Sequence, residues 1–305
     1  MGATAQDLRE PVGLIGLGLL GSAVAARLHA AGKAVWGYDL SPQRQAILAD
    51  MGMTPQPDAA AVVRACAVVV LCLPDSRVVR QVVHGQEGAL KPGQLFLDMT
   101  TGDPQDSAAL AGWLAARGAG LVEAPVIGSS EQLRRGEARF LVSGRPEHVA
   151  QGWPVLEAMA CPLHVLPEGY QAACLKLVVN LVLGLNRAAL AEGLALAEAC
   201  GLPLDDVLAV LRHSPAYARI MDSKGPKMLA RDYTPQAHLA QHLKDVRLIR
   251  ELAARQGAVV PLSQTHEQLL ARAVELGWGE ADNSALVEVY RAAAAQGRRD
   301  ELPQS

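Results

Sequence analysis

Short apolar runs alternate with amphipathic stretches through the first half of the chain. The runs at residues 12–16, 34–38, 67–73, 94–98, 120–123, 139–143 and 163–166 are strand-sized, and helical periodicity lies between the early ones, as at 22–31 and 43–51. Strands that alternate with helices build parallel βαβ units. This half is therefore expected to be an α/β, Rossmann-type doubly wound sheet covered on both faces.

The β pattern stops after Pro167. From Gln171 to Cys200 the side chains almost all favour helix, and ~30 residues at ~1.5 Å rise predict a rod of ~45 Å. Gly201 and Pro203 close it. Further helices are expected at about 203–213, 216–230, 235–256, 261–276 and 283–296, with Thr234-Pro235 as cap and first turn. The expected organisation is a nucleotide-binding domain over residues 1–167 and an all-α domain over 168–305.

Charge narrows the partners. With 28 Lys and Arg scattered among 31 Asp and Glu, the net charge of -3 gives no basic face for nucleic acid, so a small-molecule substrate is expected. Cys66, Cys72, Cys161, Cys174 and Cys200 lack CxxC spacing and read as reduced thiols of a cytoplasmic protein. The opening MGATAQDLRE does not resemble a signal peptide, and Lys176 and Asn180 interrupt the most apolar later stretch, so no membrane segment is expected. His238 and His242 lie four apart without an evident third ligand, and no metal is expected.

Candidate chemistry begins with Gly16-Leu17-Gly18-Leu19-Leu20-Gly21, which has G-x-G-x-x-G spacing between a strand and a helix. Gly16 would permit the tight turn, Gly18 would let a pyrophosphate approach the backbone, and Gly21 would let the helix pack close to the sheet. The helix N-terminus then offers N–H groups to phosphate. The next strand ends in Asp39, a carboxylate suited to the ribose hydroxyls of NAD and repellent to the 2′-phosphate of NADP. NAD is the expected cofactor and NADP the less expected one.

Several stretches then resemble the β-hydroxyacid dehydrogenase family, from about residue 12 to residue 290 and in order. They are VVLCLPDSRVVRQVV, LFLDMTTGDP, EAPVIGSSEQLRRGEARFLVSG, the long GYQAACLKLVVNLVLGLNRAALAEGLALAEACGL, HLKDVRLIRELAARQG and GWGEADNSALVEVY. The resemblance implies a hydride transfer between a nicotinamide and a short β-hydroxy acid or semialdehyde. It makes Lys176 the catalytic acid or base, and it places Leu73, Pro74 and Thr101 along the cofactor and Lys244 near the nicotinamide and the substrate carboxylate; Asn180, one turn after Lys176, is expected to hold the substrate hydroxyl or orient the ammonium, since its amide offers both donor and acceptor. Oxidising a carbinol requires removal of the hydroxyl proton, and a partly desolvated lysine suits that transfer. A homodimer or higher homo-oligomer is also implied.

The chain departs from the family at the substrate loop. Where the family carries Asp-Ala-Pro-Val-Ser-Gly-Gly, this chain reads Glu123-Ala124-Pro125-Val126-Ile127-Gly128-Ser129. Ile127 lacks the serine hydroxyl, while Gly128 and Ser129 are expected to supply backbone N–H groups and a new hydroxyl to the substrate. Two other readings share the architecture: an imine reductase, disfavoured by Lys176 and Asp39, and a catalytically silent cofactor-binding scaffold, disfavoured by Lys176 with Asn180.

Overall fold

The computed structural model describes residues 10–167, 169 and 171–300, and the chain divides into two compact units, Met1–Lys176 and Leu177–Ser305. The strands of the first unit are β1 (Val12–Ile15), β2 (Val35–Tyr38), β3 (Thr54–Pro55), β4 (Val68–Leu71), β5 (Leu95–Asp98), β6 (Gly120–Glu123), β7 (Val126–Ile127), β8 (Arg139–Gly144) and β9 (Leu163–Val165). Among them run the helices α1 (Leu19–Ala30), α2 (Pro42–Asp50), α3 (Ala59–Ala65), α4 (Ser76–His84), α5 (Pro104–Ala115), α6 (Ser130–Arg134) and α7 (Pro146–Ala158). The sheet order is β3-β2-β1-β4-β5-β6-β8-β7, with β9 beside β8. The first six strands are parallel, whereas β8 runs antiparallel to β6 and β7.

The apolar runs are continuous because both faces of the sheet are buried. Leu14, Val70, Leu97 and Val122 point into one core, and their neighbours Ile15, Leu71, Phe96 and Leu121 point into the other. The seven expected strands are present. β3 and β7 are additional; at two residues each they carry too little pattern to stand out in a sequence.

Helix α8 (Gln171–Ala199) is the expected rod, followed by α9 (Leu204–Arg212), α10 (Ile220–Ala230), α11 (Leu239–Gln256), α12 (Pro261–Glu275) and α13 (Val287–Asp300). By length and composition α8 is apolar enough to cross a membrane. In this fold its Leu190, Ala191 and Leu194 are buried with Leu208, Met221 and Met228. The first unit extends into α8 as far as Lys176, and two side chains from the sheet bond the start of the helix. Ser143 Oγ accepts the Gln171 N–H at 3.0 Å, and Glu123 Oε2 accepts the Ala173 N–H at 3.0 Å.

One helix start differs from the sequence reading. Thr234-Pro235 does not open α11, which begins at Leu239. The Gln236 N–H, at 2.9 Å, and the Ala237 N–H, at 3.4 Å, both donate to Asp282 Oδ2. His238 forms an antiparallel bridge with Asp282. A distant carboxylate thus holds residues 236–238 out of the helix, overriding a good local cap. Residues 216–219 also lie outside α10, which starts at Ile220.

Glu123 makes the first-unit anchor sensitive to pH. Burial pushes its carboxyl up to about 7, against the lowering effect of the Ala173 N–H and the Ser107 hydroxyl, and nearby Asp98 adds to the rise. The folded state therefore holds this proton where the unfolded chain, near 4.5, releases it. Stability from this group is present below about pH 4.5 and is lost as pH rises to about 7, by an amount on the order of 3 kcal/mol. Glu123→Gln should remove that slope, so that the stability difference between variant and wild type shifts in favour of the variant from pH 5 to pH 8. Urea unfolding at several pH values checks this; a difference that stays constant with pH would show that Glu123 does not hold the proton.

Candidate active site

Gly16 and Gly21 are required by the backbone. Gly16 has φ +95°, and a Cβ on it would overlap the Cys72 carbonyl oxygen at the end of β4. A Cβ on Gly21 would overlap the Gly16 carbonyl oxygen, so α1 can pack this close to the loop only with glycine there. Gly18 is different. Its φ of -66° is ordinary, and a Cβ on it would meet only Arg44 Nη1, at 4.0 Å. Gly18 is the N-cap of α1 and makes no side-chain cap bond, which leaves the helix start in a form that suits a phosphate.

Leu17 between these glycines is buried, Leu19 is exposed and Leu20 is half-buried. The Leu17 N–H donates to Asp39 Oδ2 at 2.7 Å, which ties the loop to the end of β2. Asp39 Oδ1 accepts the Ser41 N–H at 2.8 Å, and the half-exposed Arg44 approaches Oδ2 at 3.5 Å. Asp39 therefore braces the loop. Leu73, Pro74 and Thr101 follow β4 and β5, the neighbours of β1 on one side, at the carboxyl ends of the strands. The Leu73 N–H donates to Thr100 Oγ1 at 3.1 Å, and Asp98 Oδ1 accepts the Thr100 N–H at 2.9 Å. These residues fit a dinucleotide.

In the substrate loop, Ile127 ends β7 and Gly128 takes φ +133°. Ser129 caps α6: its hydroxyl accepts the Gln132 N–H at 3.2 Å while its own N–H donates to Gln132 Oε1 at 2.9 Å. The Ser129 N–H and a lone pair of its hydroxyl are thus engaged in a capping box. Binding an anion with that N–H requires opening the box, whereas the hydroxyl keeps its proton to donate.

Lys176 and Asn180 stand one turn apart on α8, each nine-tenths or more buried. The Asn180 amide donates from Nδ2 to Asp245 Oδ2 at 2.9 Å, and Lys244 Nζ lies 2.7 Å from Asp245 Oδ1. Asp245 was not among the sequence candidates, although it follows Lys244 directly. Arg187 is the largest fully buried side chain; burial lowers its guanidinium to about 10, while Asp282 and Asp245 oppose that. An arginine in an apolar helix was the signal for it. His242 packs its ring 5.2 Å from that of His266, and His238 Nδ1 bonds the Glu280 carbonyl at 2.7 Å. Among the described residues no three His, Cys, Asp or Glu side chains gather as metal ligands.

The glycines separate folding from binding. Gly21→Ala should lower the melting temperature and abolish NADH binding together, because the helix must move. Gly18→Ala should melt near the wild-type temperature yet bind NADH at least ~10-fold more weakly, since a methyl group fits the protein but not a close pyrophosphate. Thermal melts beside NADH fluorescence titration check this, and unchanged NADH affinity in Gly18→Ala would remove the loop from the cofactor site.

Known proteins resemble this chain over most of its length. The profile of the NAD-binding domain of 6-phosphogluconate dehydrogenase matches residues 11–172, and that of the NAD-binding region of NADP-dependent 3-hydroxyisobutyrate dehydrogenase matches residues 171–290. An L-threonate dehydrogenase of Cupriavidus necator is 30% identical over 283 residues, covering 92% of this chain and 95% of that protein. Glyoxylate/succinic semialdehyde reductase 1 of Arabidopsis thaliana is 28% identical, covering 92% and 98%. The crystal structure of a 3-hydroxyisobutyrate dehydrogenase from Salmonella typhimurium superposes with a TM-score of 0.85 at 28% identity, covering 92% and 99%. The chain belongs to the β-hydroxyacid dehydrogenase family of NAD(P)-dependent oxidoreductases.

Proposed function

We propose that this protein interconverts a short β-hydroxy acid and its carbonyl form, with Lys176 as the general acid or base. The observation that carries the reading is a lysine at 9% exposure on α8 with Asn180 one turn away at 7%. The nicotinamide, when bound, supplies or accepts the hydride. Lys176 takes the hydroxyl proton in oxidation and returns it in reduction; Asn180 orients the hydroxyl. Lys244 is held by Asp245 and stands as a candidate for a substrate carboxylate.

NAD is the proposed cofactor because Asp39 would oppose a 2′-phosphate, by ~1 to ~4 kcal/mol at ~4 Å. A specific observation favours NADP as the second reading: Arg44 reaches Asp39 from beside Gly18 and is half exposed, free to turn toward a phosphate. The protein is proposed to act in the cytoplasm, consistent with five free cysteines, and without nucleic acid, membrane or metal. A second copy of the chain is the proposed partner, since Val178, Val182 and Leu196 lie exposed along one side of α8.

Lys176→Ala should lower kcat by roughly 10² to 10⁴ while NADH affinity stays within a few-fold. Wild-type oxidation should slow as pH falls and the lysine base is protonated. Steady-state kinetics beside NADH titration decide it; near-normal turnover of Lys176→Ala would end the assignment. For the cofactor, wild type should favour NAD⁺ at least tenfold in kcat/KM, and Arg44→Ala should widen that ratio by weakening NADP⁺. Better efficiency with NADP⁺ would establish the second reading.

The loop offers a separate test. Ile127→Ser restores a hydroxyl and should raise kcat/KM on 3-hydroxyisobutyrate or tartronate semialdehyde. A folded variant with no gain on either would mean that backbone groups alone recognise the carboxylate or that the substrate is of another kind.

A further inference from the structure

The first turn of a helix carries N–H groups that have no carbonyl partner inside the helix, and a side chain just before the helix usually accepts from them. In α8 the acceptors come from the sheet instead. Ser143 Oγ accepts the Gln171 N–H and Glu123 Oε2 accepts the Ala173 N–H, each at 3.0 Å. Glu123 and Ser143 stand opposite each other in the antiparallel pairing of β6 with β8, at 2% and 0% exposure. Paired positions send their side chains to the same face of a sheet, so the two acceptors stand side by side. Glu123 also ends β6, at the edge where Gly16 follows β1, Leu73 follows β4 and Thr101 follows β5. One sheet edge carries both the dinucleotide residues and the anchors of the helix.

We infer that Glu123 and Ser143 are positioning residues for the reaction: by holding the Gln171 and Ala173 N–H groups they fix the height and rotation of the first turn of α8, and with it Lys176, against the edge that carries the glycine loop. This rests on the reading of Lys176 as the general acid or base. Lys176 comes one turn after Ala173 and is the last residue of the first compact unit, so a shift of the anchored turn is a shift of the lysine. Proton transfer tolerates little of that, since a misplacement of ~1 Å can cost ~10² in rate. The reach of Glu123 matters more here than its charge. It is one methylene longer than the aspartate at this place in the family loop, and its bond to Ala173 is made at that length. Shortening it would open a gap of about 1.5 Å. An amide of the same length keeps an accepting oxygen and drops the charge.

Substitutions at Glu123 separate reach from charge, using whichever of 3-hydroxyisobutyrate, glycerate and L-threonate the wild type oxidises fastest. Glu123→Leu has no acceptor and should lower kcat at least ~10-fold while KM and NADH affinity stay within ~3-fold. Glu123→Gln should recover most of that loss, whereas Glu123→Asp, charged but short, should remain close to Glu123→Leu. A Gln variant as slow as the Leu variant, beside an active Asp variant, would overturn the proposal, because charge and not position would then be what the lysine needs. Wild-type kcat in all of them would overturn it too. A second measurement does not depend on turnover. Hydrogen–deuterium exchange of residues 171–176, followed by mass spectrometry, should be slow in the wild type and in Glu123→Gln, although first-turn amides of a helix are ordinarily open to solvent. Rapid exchange there in the wild type overturns the anchor, even where Glu123→Leu fails to fold. A wild type that protects this segment yet oxidises none of the acids overturns the dehydrogenase reading and the positioning role with it; an unprotected segment in an active wild type overturns the positioning role alone.

Discussion

The helical unit is organised around one carboxylate, Asp282, which has no solvent exposure. Its oxygens accept from Lys224 Nζ at 2.9 Å, the Gln236 N–H at 2.9 Å, the Ser284 N–H at 3.0 Å and the Ser284 hydroxyl at 2.8 Å. Burial penalises both charges of the pair, but unequally. The many donors hold the Asp282 carboxyl below its ordinary range, whereas burial and the cations of Arg187 and Lys227 bring the Lys224 ammonium down as well. Leaving either charge without the other typically costs about 3–5 kcal/mol. By drawing Gln236 and Ala237 to itself, Asp282 also decides that α11 begins at Leu239, and it is from α11 that His242 and Asp245 enter the interior. The placement of Asn180's partner therefore depends on a residue far from it in sequence.

The same interior explains Gly184 and Arg187. A Cβ on Gly184 would stand 2.5 Å from His242 Nε2 and 2.7 Å from His266 Cε1, so the two imidazoles fit against α8 only at a glycine. Burial lowers the His266 imidazole to about 4, with Arg187 adding to the effect, and the ring is neutral at pH 7. The positive charge in this region accordingly sits on Arg187 and Lys224, opposite Asp245 and Asp282. Arg187 Nε and Nη2 make no hydrogen bond among the described residues, a cost that its two acidic neighbours offset only through space.

What could be read from the sequence was what local pattern determines. Two-face burial makes the strand runs continuous, and the glycine loop is written in three residues, two of which the backbone itself demands. Long-range hydrogen bonds set the rest. The Thr234-Pro235 signal was sound locally and lost to Asp282, Ser143 and Glu123 bond the start of α8 from the sheet, and Asp245 gained its place through Asn180, 65 residues away. Ser129 shows the converse. Its capping box with Gln132 is a local pattern, S-x-x-Q, that competes with the ligand role its position in the family loop implied.

The proposed cofactor choice rests on a similar competition. Asp39 does not wait as a bare charge: it already accepts two backbone N–H groups and has Arg44 beside it. The Leu17 N–H bond ties it to the glycine-rich loop, so replacing Asp39 removes a brace of that loop. Arg44 neutralises part of what remains, but at 3.5 Å and half exposed the pair is weak and easily parted. Under the proposed NAD preference, discrimination against a 2′-phosphate would be the difference between two states of Arg44, one turned to Asp39 and one turned to the nucleotide. A carboxylate alone would give a fixed repulsion; a carboxylate with a movable arginine would give a preference that shrinks as the arginine swings.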